Sequence, residues 1–325
     1  MLDALLIKLR AAAEPTRLRL LVLCAEADLS VGELTQIVAQ SQPRVSRHLK
    51  VLCDAGLLDR APEGTSVFYR MTGDPDGMRL SEALLAFVPP EDPVVTFDRE
   101  RLKAIIQARG EAAADYFREN AAHWDKIRSF HVDEAEVEAA LSRIVAEIEP
   151  EMLVDIGTGT GRVLELLGPV LRRGLGIDLS REMLAVARVN LERAGVRNCA
   201  LRQADMYQLP LPDDSFDMAI LHQVLHFAEN PQAALREVFR VLRAGGRALV
   251  VDFSPHELEQ LRADHAHRRL GFSDGQVQQW FEAAGFEVED TTHLPGDPLT
   301  VCIWRARSPL RAPAESLNFS MEAGR

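Results

Sequence analysis

The chain has 325 residues, of which 47% are hydrophobic, and it carries a formal net charge of −12. This length and this apolar fraction suit two domains with packed cores. The apolar stretch at the N-terminus is interrupted by Lys8, Arg10 and Glu14. We therefore expect neither a signal peptide nor a membrane span there.

The four cysteines are scattered along the chain and form no motif. They are Cys24, Cys53, Cys199 and Cys302. This usage is typical of proteins in a reducing compartment. We therefore expect a cytoplasmic protein.

The first 75 residues predict three helices and two strands. Apolar residues at helical spacing place the helices at residues 13–23, 29–38 and 41–52. Ser41 is a suitable N-cap for the third helix, and Pro43 suits its first turn. Two strands are then predicted, over residues 57–60 and 66–71. The segment is therefore predicted to be a helix-turn-helix followed by a β-hairpin wing.

The third predicted helix is basic. Arg44, Arg47, His48 and Lys50 all precede Asp54, its first acidic residue. Residues 1–75 contain nine Lys and Arg against nine Asp and Glu, so the excess acidity of the chain lies downstream. The local charge of this helix would therefore have to attract DNA phosphates.

Residues 41–49 read Ser-Gln-Pro-Arg-Val-Ser-Arg-His-Leu. This segment resembles the recognition helix of the ArsR family of winged helix-turn-helix repressors. The resemblance implies binding to double-stranded operator DNA, and we expect a homodimer joined through the first helix and residues 78–88. The implied DNA-binding residues are Gln42, Pro43, Arg44, Ser46, Arg47, His48 and Lys50 of the helix, with Arg60 and Arg70 of the wing.

Metal-sensing members of that family often carry a Cys-x-Cys pair at the start of the second helix. This chain has Ser30 and Gly32 there, and Thr35 where a third cysteine can occur. We therefore predict no metal site of that kind, and any effector must bind elsewhere.

Clustered prolines mark the end of the first domain. Residues 88–93 read Val-Pro-Pro-Glu-Asp-Pro, which cannot continue a helix. A helix that bridges the domains is predicted to start at Asp98 and run to Ala108. The predicted division is a DNA-binding domain at 1–88, a linker and bridging helix at 89–111, a second domain at 112–307 and a mobile tail at 308–325.

The second domain opens with a glycine turn. Residues 152–156 form a short apolar run typical of a buried parallel strand, and Gly157, Gly159 and Gly161 lead into a predicted helix at 163–167. The spacing is G-x-G-x-G, whereas dinucleotide-binding turns have G-x-G-x-x-G. The turn therefore brings a ligand close to the backbone without the fingerprint of a pyrophosphate site.

Acidic residues end three successive predicted strands: Asp155, Asp178 and Asp205. Ligands of open α/β sheets bind in the crevice at the carboxyl ends of the strands. The remaining pattern predicts strands at 218–222 and 248–252, helices at 231–242 and 274–284, and a closing hairpin of 286–292 with 300–307.

Together these motifs resemble the class I S-adenosylmethionine (SAM) methyltransferases over residues 112–307, most of all the ubiquinone-biosynthesis and arsenite methyltransferase group. The resemblance implies an α/β fold with a seven-stranded, mostly parallel sheet and SAM or S-adenosylhomocysteine (SAH) as cofactor. Asp178 would hold the ribose hydroxyls, Asp205 the adenine amino group, and Met206 would lie on the ring. The implied cofactor-binding residues are Asp155, Gly157, Thr158, Gly159, Gly161, Asp178, Leu179, Met183, Asp205, Met206 and His222.

The catalytic residues are not fixed by the sequence. His222 and His226 follow the fourth strand, and Tyr116 and Trp124 lie in the segment that caps the cofactor in this family, so each is a candidate for the acceptor pocket. For the histidines, a packing or gating role is favoured over that of a catalytic base. Arsenite is disfavoured as substrate, because the cysteines do not cluster.

A second group of histidines follows the fifth strand: His256, His265 and His267. A metal site, a polar network facing a ligand or the other domain, and a solvated helix all remain open for it.

Two functions follow from this domain pair. The first is an ArsR-type regulator that senses SAM or SAH and controls methionine-cycle-type genes. The second is an active SAM-dependent methyltransferase of an unknown acceptor, with an autoregulatory DNA-binding domain. The sequence alone does not decide between them.

Overall fold

The structure is a computed structural model, and it describes residues 2–63, 66–121 and 134–310. Trp124 and most of the predicted tail lie outside these residues.

The N-terminal domain is a helix-turn-helix with a wing, as predicted. A three-stranded antiparallel sheet has the order β1-β3-β2 and packs beside five helices. The helices are α1 (Leu2–Ala12), α2 (Pro15–Glu26), α3 (Val31–Val38), α4 (Gln42–Asp54) and α5 (Pro75–Ala86), and the strands are β1 (Leu29–Ser30), β2 (Leu58–Glu63) and β3 (Ser66–Met71).

The first helix differs from expectation. The helix predicted over 13–23 is α2, and its Leu20, Leu21 and Leu23 are fully buried in the domain core. These large apolar side chains of α2 therefore pack inside the domain. The exposed apolar side chains belong instead to α1, where Leu2 and Ile7 are 70% and 56% exposed.

The start of α3 also differs from expectation, and a capping box explains why. Leu29 and Ser30 pair with β3, so the helix begins at Val31. The Ser30 hydroxyl accepts a hydrogen bond from the Glu33 backbone N–H, and the Glu33 carboxylate accepts one from the Ser30 backbone N–H. These reciprocal bonds fix the first turn. In α4, Ser41 occupies the N-cap position but makes no side-chain cap bond.

The bridging helix is longer than predicted. α6 runs from Pro93 to Asn120, with Asp92 as its N-cap, and residues 94–109 contain neither glycine nor proline. Leu102 is buried in the core of the N-terminal domain. The predicted division between residues 111 and 112 therefore falls inside one continuous helix.

The C-terminal domain is the predicted α/β fold. Its seven-stranded sheet has the order β6-β5-β4-β7-β8-β10-β9, and only β10 runs antiparallel to its neighbours. The strands are β4 (Met152–Ile156), β5 (Arg173–Asp178), β6 (Cys199–Gln203), β7 (Phe216–His222), β8 (Leu242–Phe253), β9 (Glu287–Leu294) and β10 (Val301–Arg307). The helices are α7 (Glu134–Ile148), α8 (Arg162–Leu167), α9 (Arg181–Arg193), α10 (Pro231–Val241), α11 (Glu259–Asp264) and α12 (Asp274–Ala284).

Two hydrophobic clusters cover the two faces of this sheet. Val154 and Val250 belong to the cluster beneath α10 and α12, whereas their neighbours Leu153 and Leu249 belong to the cluster beneath α7 and α8. Alternate residues of a strand point to opposite faces, so the central strands are apolar throughout. This packing leaves the carboxyl ends of β4, β5 and β7 together at one edge.

Candidate functional site

A cavity of about 1000 Å³ lies at that edge. Its walls include the last residues of three parallel strands, namely Asp155 and Ile156 of β4, Asp178 of β5 and His222 of β7. This is the position at which open α/β sheets bind ligands. Of the predicted cofactor residues, it brings together Asp155, Gly157, Thr158, Gly159, Asp178, Leu179, Met183, Asp205, Met206 and His222.

The glycine turn is shaped by backbone geometry that side chains disfavour. Gly157 has φ of 76°, and a Cβ atom there would lie 2.3 Å from a methyl carbon of Val224. Gly159, with φ of 52°, lines the cavity. Gly161 does not line it, and a Cβ there would instead crowd Ala187 at 3.1 Å. The first two glycines therefore form the cradle, and the third permits helix packing.

Asp178 is the acid best placed to receive hydroxyl groups. Its carboxylate accepts hydrogen bonds from the backbone N–H groups of Gly159 and Ser180, both at 2.8 Å. Burial raises the pKa of Asp178, against the opposite effect of these backbone bonds. A half-buried acceptor beside a glycine cradle suits the ribose hydroxyls of a nucleoside cofactor. Asp155, fully buried, accepts a 2.6 Å hydrogen bond from the Thr158 hydroxyl and so braces the turn.

Asp205, the residue predicted to bind adenine, is hydrogen-bonded to Tyr207. Asp205 accepts a hydrogen bond from the Tyr207 backbone N–H at 2.9 Å. The Tyr207 hydroxyl in turn accepts one from the Glu229 backbone N–H at 2.6 Å. Burial raises the pKa of this hydroxyl. Asp205, Tyr207 and Glu229 all line the cavity.

The candidate catalytic residues are placed differently from one another. His222 and Tyr116 line the cavity, whereas His226 does not. His226 is 2% exposed and lies 2.8 Å from Asp252 through Nδ1, so it has a packing position behind the wall. Burial raises the pKa of Tyr116 to about 12, so this hydroxyl is protonated at neutral pH and cannot act as a ready base.

The second histidine group forms part of a polar network. The Tyr116 hydroxyl lies 2.7 Å from Nδ1 of His265, which joins α6 to the segment after α11. His267 stacks on His226 with 4.0 Å between ring centroids, and Nδ1 of His256 accepts from the Leu258 N–H. These positions agree with the predicted ligand-facing or interdomain network better than with a solvated helix.

Among the described residues, one group of potential metal ligands comes together: Asp274, His293 and Cys302. Asp274 already accepts a hydrogen bond from Nε1 of Trp304 at 2.8 Å and lies 3.2 Å from His293. Burial raises the pKa of Cys302 to about 12, which keeps it a thiol.

The N-terminal domain contributes a wall of the same cavity, which the sequence did not indicate. Ser30, Glu33 and Phe68 line it together with Arg109 of α6. Arg109 binds two carboxylates from different domains, Glu33 and Glu229. No periodic pattern reports such contacts, because the partners are 76 and 120 residues away in sequence.

Most of the predicted DNA-binding residues lie on one exposed helix. Gln42, Pro43, Arg44, Arg47 and Lys50 of α4 are exposed, and Ser46 is half-buried beside them. Arg60 is exposed on β2 of the wing.

Two of the predicted DNA-binding residues face other partners. His48 lies 3.5 Å from Glu14 within the domain. Arg70 lies 4.0 Å from Asp28, at the contact with the C-terminal domain. A role of either residue in DNA binding stays a prediction.

In the described part of the chain, no helix is long and apolar enough to cross a membrane.

Two family descriptions match the chain. Residues 14–60 match the bacterial regulatory proteins of the arsR family, and residues 154–250 match a methyltransferase domain.

Two relatives resemble the C-terminal domain in sequence. One is a protein of Mycolicibacterium smegmatis named a probable S-adenosylmethionine-dependent methyltransferase, to which the chain is 30% identical over 159 residues. The alignment covers 47% of this chain and 59% of that protein. The chain is 37% identical over 119 residues to the ubiquinone/menaquinone biosynthesis C-methyltransferase UbiE of Vibrio parahaemolyticus, covering 34% and 44% of the two chains. The chain thus spans about half the length of these relatives.

The fold is also found in solved structures. One example is a complex between the Haloferax volcanii Trm112 methyltransferase activator and a methyltransferase. The TM-score is 0.50 and the identity is 20%, and the alignment covers 59% of this chain and 97% of the other. At this identity the likeness concerns the fold alone. The protein therefore combines an ArsR-family helix-turn-helix domain with a class I methyltransferase domain in one chain.

Proposed function

We propose that this protein is a cytoplasmic DNA-binding regulator whose methyltransferase domain binds SAM or SAH and thereby changes the affinity of the helix-turn-helix domain for its operator. Genes of the methionine cycle are the proposed targets, because their products make and consume these two ligands. The observation that carries the proposal is the shared cavity: Asp178 and the glycine cradle form one wall, and Glu33 and Phe68 of the DNA-binding domain form another.

The cofactor pocket fits the ligand in three respects. Gly157 and Gly159 allow the backbone to approach it, Asp178 offers a half-buried acceptor for ribose hydroxyls, and Asp205 offers an acceptor for the adenine amino group. When bound, SAM would supply an activated methyl group. The residues of this chain bind and orient the nucleoside and exclude water from it.

The DNA-binding surface is proposed to be the exposed face of α4, with Arg44 and Arg47 at base edges or phosphates. One such helix covers only half of a palindromic operator, so we propose a homodimer. Its contact would be formed by exposed apolar residues of α1 together with the C-terminal end of α5, where Phe87 is 86% exposed.

The direct test measures operator affinity with and without SAM or SAH. The probe is a duplex selected by the protein from a random-sequence pool, titrated at fixed salt. A ligand shifts an equilibrium only through its different affinity for two states, so a coupling of about 1–3 kcal/mol predicts a 5- to 150-fold change. Unchanged operator affinity at saturating SAM and SAH would contradict the regulator.

The alternative function is methyl transfer to a small acceptor, with the helix-turn-helix controlling its own operon. It is favoured by the aromatic side chains of Tyr116, Phe117 and Phe227, which line the same cavity as His222 and could contact an acceptor. In that reaction an acceptor atom would bond to the methyl carbon while the carbon–sulfur bond breaks and SAH leaves. Incubation with methyl-labelled SAM and a small-molecule extract distinguishes the two, since only the enzyme transfers label.

A further inference from the structure

A chain of ion pairs joins the cofactor cavity to the DNA-binding domain. Its centre is Arg109 of α6, whose side chain is 23% exposed. Nη1 of Arg109 donates a 2.8 Å hydrogen bond to the Glu229 carboxylate of the methyltransferase domain. Nη2 donates to the Glu33 carboxylate of the helix-turn-helix. One guanidinium therefore connects the two domains through two carboxylates.

On the DNA-binding side, the partner of Arg109 controls a helix start. The second oxygen of Glu33 accepts hydrogen bonds from the Ser30 backbone N–H and hydroxyl, at 2.8 and 2.9 Å. Glu33 thus belongs to the capping box of α3 and is also the partner of Arg109. Because α3 packs against α4, a shift of Glu33 is transmitted to the helix that carries Arg44 and Arg47.

On the cofactor side, the path leads to the predicted adenine position. The Glu229 backbone N–H donates to the Tyr207 hydroxyl at 2.6 Å, and the Tyr207 backbone N–H donates to Asp205 at 2.9 Å. A ligand held by Asp205 and Met206 would therefore fix the backbone that positions Glu229. Every residue of this path lines the cavity, from Asp205 to Ser30.

A second bridge runs parallel to the first and also ends at Glu229. Arg268 pairs with the Glu229 carboxylate and donates to the backbone carbonyl of Asp28 at 3.2 Å. The neighbouring Arg269 donates to the Asp28 carboxylate at 3.0 Å. Burial, followed by the charges of Arg109 and Arg269, lowers the pKa of Arg268 to about 9. Loss of Glu229 from this position would leave the guanidiniums of Arg109 and Arg268 poorly compensated, which is costly for partly buried charges.

We infer that Arg109 and Glu229 form the switch between the domains and that the adenosine half of the ligand sets it. The inference rests on the proposed function and specifies its regulation. An adenosine moiety on Asp205 and Met206 holds Glu229 against Arg109, and Arg109 then fixes Glu33 and the start of α3. The ligand class is therefore the adenine nucleosides, and the sulfur substituent modulates a response that the ring and ribose produce.

The test is a double-mutant cycle on the ligand response. Operator affinity is measured with and without saturating SAH for the wild type, Arg109→Ala, Glu229→Gln and the double variant. The ratio of the two affinities removes any change in basal DNA binding. We expect each single variant to reduce the SAH-dependent change at least fivefold, and the double variant to add little, because each variant breaks the contact between Arg109 and Glu229.

Arg99→Ala is the matched control. Arg99 is another arginine of α6, and it bonds Glu26 of the N-terminal domain at 2.6 Å without lining the cavity. The control should keep the wild-type response to SAH. Binding of SAH to each variant is measured by calorimetry, and Glu229→Gln carries the test if Arg109→Ala does not fold.

The second arm uses adenosine as ligand at a concentration that saturates the wild type. We expect it to shift operator affinity in the same direction as SAH. A wild-type response to SAH that persists in both single variants, or a saturating adenosine complex with unchanged operator affinity, would overturn the inference and leave the proposed function intact. A wild type that does not respond to SAH would instead refute the proposed function.

Discussion

Asp178 combines burial, two backbone donors and a raised pKa at the end of β5. Such a carboxylate is costly to keep ionised in an empty pocket, and hydroxyl donors of a ligand offset that cost. This makes Asp178 the residue at which the cofactor assignment is most directly tested.

Replacing Asp178 with Ala should weaken SAM and SAH together. Each charge-assisted hydrogen bond contributes about 1.5–3 kcal/mol, so the loss of the ribose contacts is expected to lower affinity at least tenfold. Calorimetric titration of both ligands measures this. Glu192→Ala, at an exposed acid of α9, serves as the control, and equal titration curves for the two variants would refute the site.

The affinity for SAH should fall as the solution is acidified. The ribose hydroxyls need an ionised acceptor, and burial raises the pKa of Asp178 above its ordinary value of 3.8. Affinity is therefore highest at neutral pH and declines as the pH falls toward that raised pKa. Titrations between pH 7.5 and 5 measure the decline, and Asp178→Asn should remove it. A decline of the same size in Asp178→Asn would assign the effect to another group.

The sequence predicts the positions of the cavity acids better than those of the histidines. Asp155, Asp178 and Asp205 end or follow parallel strands, and strand order alone brings them to one edge. His222 and His226 are only four residues apart, but a short 3₁₀ turn at Leu225–Phe227 places the first in the cavity and the second behind its wall. Local pattern does not determine which way such a turn faces.

α4 presents its basic residues on one side because Val45, Leu49 and Leu52 are buried on the other. Their spacing follows the helical period, so the exposed face includes Arg44 and Arg47. Substitutions on the exposed face of α4 therefore test the proposed DNA binding.

Arg44→Ala and Arg47→Ala should each lower operator affinity. A phosphate contact lowers the affinity for all sequences and reduces the salt slope by about one, whereas a base contact costs about 1–3 kcal/mol and relaxes one operator position. Binding to the selected duplex is measured at several salt concentrations. The control is Arg188→Ala, at an exposed position of α9. If both α4 variants bind like the control, α4 is not the recognition helix.

α6 illustrates why helix limits are hard to predict. The sequence predicts a helix start at Asp98, because the prolines at 89, 90 and 93 indicate a linker. In the structure, Pro93 occupies the first turn of the helix, directly after the Asp92 N-cap. Its length of 28 residues lets one helix contribute Leu102 to the N-terminal core and Tyr116 to the cofactor cavity.

At the scale of the whole molecule, exposed apolar side chains mark the expected dimer surface. Substituting Ile7 of α1 or Phe87 after α5 with Glu should shift the protein from dimer to monomer, because a charge would be buried in the contact. Sedimentation velocity measures the change. Val170→Glu, at a residue 71% exposed on the methyltransferase domain, should stay dimeric. A wild type that is already monomeric would contradict the dimer.

The domain contact could not be predicted from the sequence. The folds of both domains follow from patterns within each segment, namely the basic third helix and the glycine turn with its strand-end acids. The pairs of Arg109 with Glu33 and Glu229 depend instead on how two finished domains meet. Charged residues of this kind look like ordinary solvated positions on a helix until a partner is placed against them.

The central claim is that ligand and DNA binding are coupled within one molecule, and coupling is reciprocal. The most direct measurement is calorimetry of SAH with the protein alone and with the protein saturated by the selected duplex. The account predicts that the two dissociation constants of SAH differ about 5- to 150-fold, by the same factor by which SAH changes operator affinity. Equal SAH affinity in the presence and absence of DNA would contradict it.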